Sequence, residues 1–194
     1  MKHFIYFSSK ATTSGKSLSS GDLMKAGRMD IAIHAIIQGL FLSHGFREDV
    51  KMHLVFYGPP TPPRHIEIQI KDDLEISKKD IGNLIKKILY KYREGERTEV
   101  FPGCFIEKKS FMKVVEDLQE KGNEIFVLNK KGEDVRESKI PKDCVFILGD
   151  HEGIQRKEFK RLKQIATPIS IGNKMYFASQ VVAVMNNELD HRGI

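Results

Sequence analysis

Tryptophan is absent from the 194 residues, and cysteine occurs only as Cys104 and Cys144. The two thiols lie far apart and neither has a partner at ligand spacing, so they read as small buried hydrophobes and argue against zinc or redox chemistry. Long apolar runs are missing too. The window from Ile31 to Leu42 contains polar residues and falls well short of the roughly 20 needed to span a bilayer, which points to a soluble protein. Met1-Lys2-His3 leads straight into a strand-like run with no apolar leader, so the expectation is a reduced, cytoplasmic protein. No internal repeat is visible.

A hydrophobic content of 40% over this length fits one compact domain, residues 1–194. The 32 basic against 26 acidic residues leave a charge of +6. Such a field favours polyanions through counterion release without choosing among them, and the same charge density also suits the ion-pair networks of heat-adapted proteins.

Along the chain, Phe4 to Phe7 is a short buried-strand run, followed by a Ser-, Thr-, Gly- and Lys-rich loop from Ser8 to Gly21. From Asp30, a suitable N-cap, Ile33, Ile36, Ile37, Leu40 and Phe41 recur at helical spacing and predict a helix that Gly45 ends. Val50 to Tyr57 reads as a core strand closed by a proline-rich turn from Gly58 to Pro63, and His65 to Ile70 alternates as a half-buried strand. Ser77 with Asp80 resembles a capping box, before an apolar face of Ile81, Leu84, Ile85, Ile88 and Tyr92. Phe111 to Leu118 predicts a third helix and Glu124 to Leu128 the next strand. Cys144 to Leu148 and Ala166 to Ile171 follow as strands, and a helix lined by Ala178, Val181, Val182, Met185 and Leu189 closes the chain. This alternation indicates an α/β protein with a largely parallel sheet covered on both faces.

Ala11 to Ser17 looks like the end of a phosphate-binding P-loop, and Phe146 to Asp150 like a strand ending in a magnesium-binding aspartate. The P-loop requires a glycine five positions before Gly15, where this chain has Lys10, so the motif fails. The glycine-rich first turn and the acidic residue after the second strand of a Rossmann-like methyltransferase are also missing. What is unusual lies later: Leu128-Asn129, Leu148 to Gly153 and Ile169 to Asn173 all follow strand ends, where open α/β sheets place their ligands.

The blocks Phe146-Ile147-Leu148-Gly149-Asp150-His151-Glu152-Gly153, Ile169-Ser170-Ile171-Gly172 and Asn187-Glu188-Leu189-Asp190 resemble the signatures of the archaeal tRNA pseudouridine-54 N1-methyltransferases, of the SPOUT (α/β-knot) superfamily. Ala11 to Gly15, Ala26 to Asp30 and Leu42 to Arg47 are similar to that family's N-terminal blocks, so the resemblance runs in order along nearly the whole chain. Only Lys71 to Lys109 carries no matching motif.

The resemblance implies a SPOUT fold with a C-terminal deep trefoil knot and S-adenosyl-L-methionine held in a bent form. On that pattern the cofactor contacts are Leu128, Gly149, Ile171, Gly172, Asn173, Met175, Tyr176 and Phe177. Gly149 and Gly172 suit the role independently, because a residue without Cβ lets backbone approach an adenine edge, although both also read as ordinary turn glycines. A homodimer is implied, with the helix from Phe177 to Asp190 as the seam, and tRNA as substrate; no metal and no membrane are expected. Methyl transfer to N1 of pseudouridine requires the N1 proton to leave and charge on the ring carbonyls to be stabilised. Asp30 and Arg28 are the candidate carboxylate and cation; Asp150 and Glu152 are alternative carboxylates, and His151 is a possible base or a plain loop residue. Arg156, Lys157, Lys160, Arg161 and Lys163 are candidate phosphate contacts, extended by Lys10, Lys16, Arg28 and Arg47 from the N-terminal blocks, with solvated surface charge as the alternative. A SPOUT enzyme acting on another RNA, such as a ribosomal pseudouridine, and a non-catalytic RNA-binding protein of the same fold remain open.

Overall fold

The computed structural model describes residues 1–18, 23–71 and 76–194. Ser19 to Asp22, the end of the first loop and the stretch after it, therefore lie outside the described residues. In chain order the elements are β1 (Lys2–Ser8), α1 (Met29–Leu40), β2 (Val50–Phe56), β3 (Arg64–Ile68), α2 (Ile81–Tyr90), β4 (Thr98–Phe101), β5 (Cys104–Glu107), α3 (Phe111–Glu120), β6 (Glu124–Asp134), β7 (Cys144–Gly149), α4 (Arg156–Leu162), β8 (Thr167–Ser170) and α5 (Ala178–His191).

The strands form one sheet in the order β4-β5-β3-β2-β1-β7-β6-β8. From β2 to β8 every neighbouring pair is parallel, and β3, β5 and β4 extend the sheet as an antiparallel edge. β1 lies between two parallel partners and is buried along its whole length, so it reads as a continuous run. Its alternation still sorts the two faces. Phe4 and Tyr6 join α1, α2 and α5 through Ile36, Ile85, Ile88, Val182 and Met185. Ile5 and Phe7 join α3 and α4 through Phe111, Val115 and Leu162. The expected α/β sheet with helices on both faces is present.

Several boundaries differ from the sequence reading. α1 starts at Met29, so Asp30 lies inside the first turn and is not the N-cap; that position is Arg28, which caps nothing with its side chain. The helix ends at Leu40, five residues before Gly45, because the Leu42 N–H turns to the Gly45 carbonyl at 2.8 Å. β4 and β5 form a hairpin inside the segment without a matching motif. Gly103 permits it, at φ +76°, where a Cβ would fall 2.3 Å from the Gln69 carbonyl oxygen. β6 continues past Leu128 to Asp134 and pairs with Ile169 twice, once at Leu128 and again at Glu133 after a register break. Gly132 sits at that break, where a Cβ would lie 2.5 Å from the Pro168–Ile169 backbone.

Both cysteines are buried, and burial pushes each thiol up to about 12. Among the described residues no cluster of metal-ligating side chains forms, and no helix is long and apolar enough to cross a membrane. On the α3 face, three buried histidines from β1, β2 and β3 form one hydrogen-bonded file. His3 Nδ1 meets His53 Nε2 at 2.9 Å, His53 Nδ1 meets His65 Nε2 at 2.9 Å, and His65 Nδ1 meets Glu107 Oε1 at 3.0 Å. An ionised Glu107 only accepts, so His65 Nδ1 carries the hydrogen of that last bond.

Candidate active site

The middle of β6 at Leu128 and the carboxyl ends of the parallel strands β7 and β8 come together, and a cavity of about 550 Å³ opens beside them, closed on one side by α1 and α5. Its lining includes Leu128, Gly149, Ile171, Gly172, Met175, Tyr176 and Phe177, all of them cofactor contacts implied by the family resemblance. Asn173 does not line it and is exposed. Lys174, inside the run from Ile171 to Phe177, and Ser170, inside the late stretch from Ile169 to Asn173, line it too, whereas Ile31, Lys130, Ala178 and Val181 line it without having been expected as site residues. Ala178 and Val181 were read only as core-face positions of the last helix. Ile31 falls between helical core positions, and no sequence signal aims it at the strand ends.

The two glycines play different parts. A Cβ on Gly149 would come within 2.5 Å of the Gly153 backbone, so this glycine is required for the loop to close on itself. Gly172 adopts φ +138°, and a Cβ there would meet nothing nearer than the Tyr176 ring at 4.0 Å. Its backbone conformation, and not crowding by protein, demands glycine. Ser170 Oγ accepts from the Gly172 N–H at 3.1 Å and donates to the Gly172 carbonyl at 3.0 Å, which fixes this turn.

Asp150 is held at the cavity edge by the register of β1 on β7. Its N–H donates to the Phe7 carbonyl at 3.0 Å, while its carboxylate accepts from Ser8 Oγ at 2.7 Å and from the Glu152 N–H at 2.8 Å. Ser8 Oγ in turn accepts from the Ala11 N–H at 3.0 Å, so one hydroxyl links the first loop to the cavity edge. His151 is exposed, and its Nδ1 lies 4.0 Å from Asp150. Glu152 is paired with Lys10 at 2.6 Å, which holds its carboxyl below the ordinary range.

Arg28 stands in the left-handed region at φ 61°, ψ 44°, and turns its side chain onto Asp30. Nε meets Oδ1 and Nη2 meets Oδ2, each at 3.0 Å. This grip lowers the Asp30 carboxyl below its usual range, and the Asp30 partner raises the Arg28 guanidinium. The wholly buried Tyr6 hydroxyl has no hydrogen-bond partner among the described residues. Burial raises its pKa, followed by the fields of Asp150 and Asp30.

The proposed phosphate contacts divide. Lys16 is exposed in a single 3-10 turn, Gly15–Ser17, where a P-loop would start a helix. Arg156, Lys157 and Lys160 are exposed on α4 and form no ion pair among the described residues. Arg161 lies 3.6 Å from both Glu116 and Glu158. Arg47 is committed elsewhere: both terminal nitrogens donate to Asp190 at 2.6 Å, pinning the end of α5.

The whole chain, residues 1–194, matches the family model described as "Putative SAM-dependent RNA methyltransferase". A tRNA (pseudouridine(54)-N(1))-methyltransferase of Thermococcus gammatolerans is 36% identical over 172 residues, covering 85% of each chain. One of the same name from Methanococcoides burtonii is 35% identical over 98% of this chain and 96% of its own. Among solved structures, Archaeoglobus fulgidus Nep1 bound to S-adenosylhomocysteine superposes with a TM-score of 0.63 at 13% identity, covering 100% of this chain and 99% of that one. That likeness speaks for the fold, whereas the matches along the full sequence speak for descent: this chain belongs to the family of SAM-dependent RNA methyltransferases.

Proposed function

We propose that the protein methylates N1 of pseudouridine at position 54 in the tRNA T-loop, using S-adenosyl-L-methionine. The observation that carries this reading is the cavity lined by Leu128, Gly149, Ile171, Gly172 and Phe177, and also by Ile31, the residue that follows the Arg28–Asp30 pair in α1. The cavity suits the cofactor: its volume falls in the roughly 300–1,000 Å³ range of small-molecule sites. Its walls are apolar at Leu128, Ile171 and Phe177, and Gly172 presents open backbone.

When bound, S-adenosylmethionine supplies an electrophilic methyl group on its sulfonium. Leu128, Ile171 and Phe177 would flank it and keep water away, and the backbone around Gly149 and Gly172 would hold its adenine. Arg28 uses Nε and Nη2 on Asp30, which leaves Nη1 to face a ring carbonyl where charge collects as the N1 proton departs. Asp30 is a weakened base in this arrangement and acts first by aiming Arg28. The proton passes to Asp30 or to water beside Asp150.

The fold is read as SPOUT with a C-terminal trefoil knot. Support comes from the second pairing of β6 with β8 and from Arg192, which donates to the carbonyls of Ser138 and Val135 and so binds α5 to the chain beyond β6. A homodimer through α5 is supported by the apolar Met175, Tyr176 and Phe177, all exposed at the cavity mouth. Mass mapping of methylated nucleosides in tRNA and rRNA incubated with the protein tests the assignment. N1-methylpseudouridine at position 54 is expected, and methylation confined to rRNA would overturn it.

A further inference from the structure

A second cavity, of about 340 Å³, lies on the other side of β6 from the first, between that strand, β8 and α4. The alternation of β6 divides its residues between the two. Leu128 and Lys130 line the first cavity, Val127 and Lys131 line the second, and Asn129 touches both. The second cavity has an apolar floor of Val127, Ala166 and Pro168 with the half-buried Phe159 ring as one wall.

Its rim is cationic. Lys163 holds its ammonium 5.1 Å from the centre of the Phe159 ring, and neither Lys163 nor Lys131 forms an ion pair among the described residues. Asn129 Oδ1 accepts from the Lys131 N–H at 2.9 Å, which leaves its Nδ2 to donate to a ligand. The unpaired Arg156, Lys157 and Lys160 continue the positive surface along α4. An aromatic wall under two free ammonium groups suits a nucleobase and its phosphate, the pairing by which proteins hold single-stranded RNA.

We propose that this second cavity is a subsite for a nucleotide flanking the target. Its base lies against Phe159 and Pro168, and its phosphate lies between Lys131 and Lys163. The proposal rests on the reading of the protein as an RNA methyltransferase. It gives the stretch of β6 around Leu128 a double role, with one side turned to the cofactor and the other to the neighbouring nucleotide.

The test uses the full-length protein with three variants: the exposed double change Lys131→Ala/Lys163→Ala, Phe159→Leu, and Pro168→Ala in case the aromatic change disturbs folding. The lysine variant should flatten the dependence of log affinity for tRNA on log salt by roughly 0.7 per lost contact, as for single strands. It should raise KM for tRNA at least about tenfold while kcat and cofactor affinity stay within about twofold, because phosphate contacts position without taking part in the chemistry. Phe159→Leu should weaken tRNA binding roughly 5- to 150-fold with the salt slope unchanged. An abasic site walked along the T-loop supplies the decisive cycle. At one flanking position it should cost the wild type what Phe159→Leu costs, and cost that variant nothing further. If the wild type methylates RNA but all three variants keep its KM and salt slope, the subsite is excluded and the enzyme reading stands. A wild type that neither binds nor methylates RNA overturns both.

Discussion

Arg28, held in the left-handed region just before α1, donates from Nε and Nη2 to the two oxygens of Asp30, each at 3.0 Å. Asparagine at 30 offers a single acceptor and an NH2 group that opposes the guanidinium. Asp30→Asn should therefore lower turnover by at least about tenfold, within the roughly 100- to 10,000-fold range of positioned proton-transfer groups if Asp30 also takes the proton. Arg28→Lys should do the same, since an ammonium cannot reproduce the fork. Because Asp30 is no N-cap and the pair is partly exposed, thermal stability should change by less than about 1 kcal/mol. Single-turnover methylation with melting curves checks this; a loss under tenfold at saturating substrate would make the pair structural and move suspicion to Asp150.

Gly172→Val should reduce cofactor affinity at least about tenfold, because a branched residue does not hold φ +138° and the turn must rearrange. Gly149→Ala should instead lower the melting temperature, since its Cβ meets the Gly153 backbone. Calorimetry with S-adenosylmethionine beside a thermal melt separates them. Near-native affinity in a folded Gly172→Val would remove Gly172 from the site.

The periodicities carried most of the fold, because each helix packs one apolar stripe and the central strands are continuous hydrophobic runs. They misplaced the end of α1, since Phe41 keeps helical spacing while its backbone has already left the helix at φ −99°, ψ 137°. The β4–β5 hairpin escaped because Thr98 to Phe101 is only partly buried and lacks an alternating signature. At the site, the late loops were legible as motifs, yet motifs cannot show which charges are already spent. Arg47 was a reasonable phosphate ligand until Asp190, distant in sequence, took both its terminal nitrogens. The file of His3, His53 and His65 depends on strand register and left no local trace.

Acid should loosen this file. Burial, followed by the charge of Lys51, holds His3 down to about 4, and burial and His65 hold His53 well below its ordinary value. Unfolded histidines gain protons below about pH 6.5, so the unfolded state binds more protons than the folded one and stability falls as pH drops from 6.5 towards 4. Glu107, kept near 2 despite burial by hydrogen bonds from His65 and Lys109, contributes its own loss only below the ordinary carboxylate range. Urea midpoints at pH 7.0, 5.5 and 4.8 should decline steadily, and His3→Gln should make the decline shallower. A flat profile would contradict the neutral file.

Tyr6→Phe should leave stability unchanged or raise it by up to about 1 kcal/mol, because the hydroxyl it removes is buried and unpaired. Denaturant titration decides. A loss above about 1 kcal/mol would reveal a partner for the phenol, with water bridging towards Asp30 or Asp150 as the first candidate.

β6 supplies Leu128 to the cavity and then, past Gly132, returns to Ile169 and sends the Val135 N–H to the Ser170 carbonyl at 2.8 Å. Freeing that amide requires β6 and β8 to part, and parting them dismantles the wall on which Leu128 and Ile171 sit. A ligand in the cavity binds only the closed arrangement, so mass action makes every opening rarer by the factor of its saturation. Deuterium uptake at Val135 and Ile169, positions with no need to touch the ligand, should therefore slow in proportion to S-adenosylmethionine concentration, while the edge strand β4 exchanges at its former rate.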